Sequence, residues 1–134
     1  MSCLFIKEDE VFTVNFVVAY NEKDGTMFCD TDEDILKEIL GENSDNFSFE
    51  KHSAVFRKPS FGKTIDLYDS IFSTDGRNIG FNPIAVRYRK ILLLIKSWTL
   101  TESKPTEEDI QSLNPIVATV LGIQLDLETG NLLV

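Results

Sequence analysis

A chain of 134 residues, 43% of them hydrophobic and ten of them Phe, is long enough to bury one sizeable core, so we expect a single domain. Its 13 basic against 22 acidic residues give a formal charge of −9, which opposes non-specific binding to nucleic acid or anionic lipid and favours protein partners. The longest apolar run, Ile91 to Ile95, falls far short of the about 18–20 residues a spanning helix needs. Cys3 and Cys29, with no signal peptide in view, read as free thiols of a reducing cytoplasm.

In chain order, residues 11–20 are rich in β-branched and aromatic side chains, and Asp24-Gly25 supplies turn chemistry before Thr26 to Cys29 returns, so strand, turn and strand are predicted. Phe12, Val14, Phe16, Val18 and Tyr20 share one strand face, the expected core face. Thr31 followed by Asp34 resembles a capping box and Gly41 a helix stop, predicting a short helix from Asp32 to Leu40. Glu42 to Asn46 is a polar loop. Phe47, Phe49, Ser53 and Val55 alternate in a third strand over residues 47–57, ended by Pro59. A short amphipathic helix is expected from Lys63 to Phe72, then a loop from Ser73 to Gly80.

The strongest signal is the run from Asn82 to Trp98. Asn82 suits an N-cap and Pro83 the first helical position. Ile84, Tyr88, Ile91, Leu92, Ile95 and Trp98 recur at steps of three and four, predicting a central helix from Pro83 to Trp98. Leu93 and Leu94 widen the apolar arc, as in a helix contacted on two sides. Beyond it, Thr106 and Asp109 form another capping-box start, and Asn114-Pro115 opens a further helix expected to stop near Gly122. Ile123 to Val134 reads as a terminal strand or an apolar tail. The expected architecture is α+β: an N-terminal antiparallel hairpin or small sheet with a short helix, then a helical portion built on the central helix.

Chemical signatures are weak. Gly62-Lys63-Thr64 lacks the earlier Gly of a phosphate-binding loop, since position 57 is Arg. Asp30, Asp32 and Asp34 have the spacing of the first calcium ligands of an EF-hand, but Ile35 stands where Gly is needed. His52 is the single histidine, which leaves Cys29 and His52 as the one conceivable nucleophile and base, with no third group to orient them. No catalytic residue, metal ligand or cofactor is therefore assigned, and a non-enzymatic protein is expected.

Charge is uneven. Residues 1–56 hold 4 basic and 13 acidic side chains, residues 57–96 hold 8 and 3, and residues 97–134 hold 1 and 6. The middle third is net basic, and Phe56 to Lys63 interleaves aromatics with cations. Such a stretch can stack on single-stranded nucleic acid or anchor an acidic or helical protein partner. Arg57, Lys58, Phe61 and Lys63 at the Pro59 turn, with Arg87 and Lys90 on the central helix, are the candidate partner-binding residues.

From Phe56 onward the order of features resembles the small tail assembly chaperones of tailed bacteriophages. The resemblance is carried by Phe56-Arg57-Lys58-Pro59, by the Arg- and Leu-rich helix from Arg87 into Trp98, by Leu100-Thr101, by Thr106 to Ile110, and by the break at Leu113-Asn114-Pro115. It covers residues 56–121; the N-terminal half has no counterpart in it. It implies a non-enzymatic protein of the infected bacterium's cytoplasm that holds a tail component such as the tape measure or the baseplate hub. A virion structural protein of the tail or baseplate is the neighbouring alternative, and a small nucleic-acid-binding regulator a more distant one. Self-association is compatible with either tail role.

Overall fold

The computed structural model describes residues 5–7, 9–73 and 83–129. It is an α+β fold, in which a four-stranded antiparallel sheet carries helices on both faces. Strand β1 (Val11–Tyr20) turns into β2 (Met27–Asp30), and helix α1 (Glu33–Leu40) follows. A 3-10 turn (Gly41–Asn46) leads to β3 (Ser48–Arg57), then come helices α2 (Phe61–Ser73) and α3 (Pro83–Leu94), strand β4 (Ile95–Trp98), and helices α4 (Glu107–Gln111) and α5 (Pro115–Thr129). The strand order is β2-β1-β3-β4.

The first hairpin forms as its turn residues dictate. Asn21 and Asp24 accept hydrogen bonds from the backbone N–H groups of Lys23 and Thr26, and Gly25 takes φ +75°, a conformation that favours glycine. Helix α1 is capped by Asp32, whose side chain accepts the Asp34 N–H, rather than by Thr31. Gly41 closes it at φ +57°.

Two cores sandwich the sheet. On one face Val14, Phe16 and Val18 of β1 and Ala54 and Phe56 of β3 meet Ile91 and Leu94 of α3 and Leu121 and Leu125 of α5. On the other, Val17 and Ala19 pack on Leu36 and Leu40 of α1, with Phe28, Phe47 and Phe49 around them. The even face of β1 is thus core as expected, except that Tyr20 is exposed at the strand end and the odd face is also buried where α1 lies on it. The third strand forms as expected, with Phe47 and Phe49 on the second core, but its most buried residues lie outside the alternating set. Ala54 and Phe56 are fully buried, while Phe49, Ser53 and Val55 are half-buried.

The central helix requires the largest correction. It ends at Leu94, and Ile95–Trp98 form an edge strand paired with β3. Both Ile95 and Trp98 reach the main core, although residues three apart in a regular strand face opposite ways. A register shift explains this: Val55 pairs with Ser97 and Phe56 with Ile95, so Lys96 is the extra residue of a bulge. The bulge gives a strand the i, i+3 spacing of a helix, which is why the stripe looked helical throughout. Pairing also covers the outer edge of β3, whose backbone groups would otherwise lie unpaired. Asn82, the expected cap, and the loop expected after Ser73 fall outside the described residues.

Helix α4 has the expected capping box, with Thr106 Oγ1 accepting the Asp109 N–H and Asp109 Oδ2 the Thr106 N–H. Asn114 Oδ1 accepts the Ile116 N–H and Pro115 starts α5. Gly122 does not end this helix. It lies in its interior, because the stem of Arg87 on α3 passes so close that an added Cβ would sit 2.7 Å from Arg87 Cδ and 3.2 Å from its Cβ. Residues 123–129, expected as strand or tail, continue the helix, while residues 130–134 lie outside the description. Ile84 shares a groove with Ala118 and Thr119, Arg87 lies on Gly122, and Lys90 reaches Asp126, so α3 and α5 run side by side in the same direction.

Replacing a helical glycine by alanine normally gains about 1 kcal/mol of helix propensity. Here Gly122→Ala is expected to lower stability by about 1–3 kcal/mol instead, because Arg87's Cβ cannot move aside without shifting α3, and its Cγ and Cδ can do so only by leaving the rotamer that reaches Asp126. Urea denaturation measures this; a stabilised variant would show that the two helices are not held so closely.

Candidate partner-binding surface

The six side chains singled out by sequence fall into two groups. Lys58 and Lys63 line one cleft with Ile6, Lys7, Ser60 and Asp66. Ser60 accepts the Lys63 N–H at 3.3 Å and so starts helix α2, while the Lys58 N–H donates to Glu10 O at 3.0 Å and ties the turn to the segment before β1. Phe61, at the first position of α2, is 83% exposed. Arg57 is half-buried and does not share this exposure: its Nη1 donates to Ile95 O at 3.1 Å and fastens β4 to β3.

Arg87 and Lys90 do not form an exposed basic helix face. Lys90 is 1% exposed, and its Nζ lies 2.7 Å from Asp126 Oδ1 and 3.4 Å from Thr129 Oγ1. Arg87 Nε lies 3.6 Å from Asp126 Oδ2, and the Arg87 stem covers Gly122. A buried ammonium is tolerable only with a close counter-charge and hydrogen bonds, and α5 supplies both. Lys90 therefore belongs to the interior and is withdrawn as a partner contact.

The cleft around Lys58 reaches further than the sequence suggested. Its other side is lined by Ile6, Glu10, Phe12, Pro59, Glu128 and Thr129, so the turn after β3, the segment before β1 and the end of α5 meet there. Ile6 and Lys7 were missed, although Phe5-Ile6-Lys7 repeats the pattern of apolar groups beside a cation. Lys7, Lys58 and Lys63 are interspersed with Glu10, Asp66 and Glu128. Mixed charge of this kind repels a phosphate backbone at three points and suits a protein surface carrying both signs.

A second concavity lies on the other sheet face, between Asn15, Lys51 and Ser53 and the start of α1, beside the single histidine. His52 Nδ1 is 3.0 Å from Thr99 Oγ1 and its Nε2 3.2 Å from Glu50 Oε2, a line of hydroxyl, imidazole and carboxylate. A nucleophile needs a hydroxyl free to give up its proton and attack. Thr99 Oγ1 is instead tied to the Ser53 backbone on both counts, accepting its N–H at 3.0 Å and donating to its carbonyl oxygen at 3.4 Å, and the Thr99 N–H donates to the same oxygen. Glu50 is 68% exposed, and the His52 ring stacks on Phe16 at 5.7 Å. The group clamps the segment after β4 onto β3.

Cys29 stands opposite Val18 on β2, whereas His52 stands opposite Phe16 on β3, so β1 separates the two strands that carry them. Burial, helped by the neighbouring Asp30 charge, pushes the Cys29 thiol up from 9.0 to about 11. Among the described residues no group of three His, Cys, Asp or Glu side chains could hold a metal ion, and no helix is long and apolar enough to cross a membrane. Comparison with family models, curated proteins and solved structures found no match.

Two outcomes are expected. Asp126→Ala removes the carboxylate facing the buried Lys90 ammonium and should cost about 3 kcal/mol in urea denaturation, the low end of the range for broken buried pairs, because Asp126 keeps a third of its side chain in water. A loss under about 0.5 kcal/mol would mean that this ammonium reaches water. At pH 8 the raised thiol pKa leaves Cys29 with roughly 100-fold less thiolate than in the unfolded chain. Iodoacetamide should therefore label Cys29 slowly in the native protein and rapidly in urea, read by site-resolved mass spectrometry.

Proposed function

We propose that the protein is a non-enzymatic bacteriophage assembly protein that binds and holds a tail component, such as the tape measure or the baseplate hub, in the cytoplasm of the host bacterium. The observation that carries this reading is the surface around Pro59, where Phe61 stands exposed beside Lys58 and Lys63 with Ile6 and Lys7 at the rim. Aromatic and apolar groups presented among charges provide a few strong anchors within a water-excluding surround. Such a surface suits the capture of an aggregation-prone segment. The tail-chaperone resemblance of residues 56–121 covers the same turn and supplies the class of partner.

The neighbouring reading, a structural protein of the tail or baseplate, would use the same surface but keep the protein in the particle. Mass spectrometry of purified virions separates the two: a chaperone is absent or at trace level, a structural protein present in stoichiometric amount.

Arg57 supports β4, so charge reversal belongs at Lys58 and Lys63. Lys58→Glu with Lys63→Glu should weaken co-purification of the tape measure or hub protein by at least about tenfold while leaving the thermal midpoint within about 2 °C, as surface substitutions do. Wild-type co-purification should also fall as salt rises. Undiminished co-purification by the double variant would remove this surface from the partner site.

A further inference from the structure

Helix α5 is apolar on its solvent side as well as on its core side. Val117, Leu121 and Leu125 are buried, yet Ile116, Ile123 and Leu127 are exposed on the opposite face with half-buried Val120 among them. These four are spaced four, three and four residues apart, the seam spacing of packed helix pairs. A helix apolar all round is normally covered all round.

Charge identifies what can cover it. In a chain of net charge −9, most pairings of two copies bring like charges together. The longest uncharged run in the sequence, from Ile110 to Leu125, contains most of this seam. The seam is also self-complementary. About a midpoint between Leu121 and Gly122, Ile116 mirrors Leu127 and Val120 mirrors Ile123. Two such helices placed antiparallel about a two-fold axis meet apolar to apolar along the seam.

We infer that two copies of this chain associate through the outer faces of their α5 helices, packed antiparallel about the Leu121–Gly122 midpoint. The surface is distinct from the Lys58 cleft and the inference does not rest on the proposed tail function. One dimer would present two copies of that cleft to a partner.

Light scattering after size exclusion should give twice the chain mass of 15.2 kDa for the wild type. Ile123→Glu should give the single mass with an unchanged circular dichroism spectrum, since Ile123 is already 42% exposed in the single chain. Should that variant fail to fold, Leu127→Lys, at a position 74% exposed, serves in its place. For geometry, a chain carrying Val120→Cys and one carrying Ile123→Cys, both with Cys3→Ser, are mixed and oxidised. A 120–123 cross-link is expected. A wild type of single mass at its highest soluble concentration, a dimer that survives both charged variants, or cross-links joining 120 to 120 and 123 to 123 in preference to 120 to 123 would each overturn the inference.

Discussion

The close passage of α3 beside α5 is the constraint on which much of the molecule depends. Arg87's stem can lie on α5 only because position 122 has no side chain, and that approach brings Lys90 within 2.7 Å of Asp126. The pair is asymmetric: the ammonium is enclosed, while the carboxylate stays partly in water and also faces Arg87. Asp126 thus keeps some hydration while compensating a cation that would otherwise be costly to bury. Thr129 extends the arrangement, accepting from Lys90 and donating to Leu125 O at 2.6 Å. This polar lock sets the register of the two helices, which the non-directional apolar packing around it does not.

With α3 and α5 fixed, the sheet has a roof, and the chain leaving α3 is delivered straight to the edge of β3. Helix passes into strand without an intervening loop, and the bulge at Lys96 turns both Ile95 and Trp98 into the core. Arg57 and the His52–Thr99 clamp secure the two sides of this strand through Ile95 O and Ser53. Polar side chains that resembled recognition or catalytic groups in the sequence therefore hold β4 in place. Trp98 is secured likewise, its indole N–H donating to Thr101 Oγ1 at 2.7 Å.

What remains for interaction is divided by chemistry. The cleft at the Pro59 turn combines an exposed aromatic ring with interspersed charges of both signs, as suits a directional contact with another protein. The outer face of α5 is apolar and uncharged, as suits a self-pairing helix. They approach one another at the last turn of α5, where Glu128 and Thr129 border the cleft. Occupancy of one surface is thereby placed next to the other without the two sharing an anchor residue.

The sequence by itself determined the features whose causes are local. The Asn21–Thr26 turn, the Gly41 stop, the Thr106 capping box and the Asn114-Pro115 start each depend on groups a few residues apart, and each formed where its residues stand. The exposed turn with Lys58, Phe61 and Lys63 was legible for the same reason, since Pro59 ends a strand whatever surrounds it. Tertiary structure decided the rest. Ile95 and Trp98 became strand because an unpaired β3 edge lay within reach, and one bulge reproduces helical spacing. Gly122 stayed helical because α3 occupies the space of its missing side chain, and Lys90 went inside because Asp126, 36 residues later, meets it there. Ile6 and Lys7 line the cleft because the Lys58–Glu10 bond ties their segment to the distant Pro59 turn. Such choices depend on partners distant in the chain, and no pattern within a short window of sequence contains them.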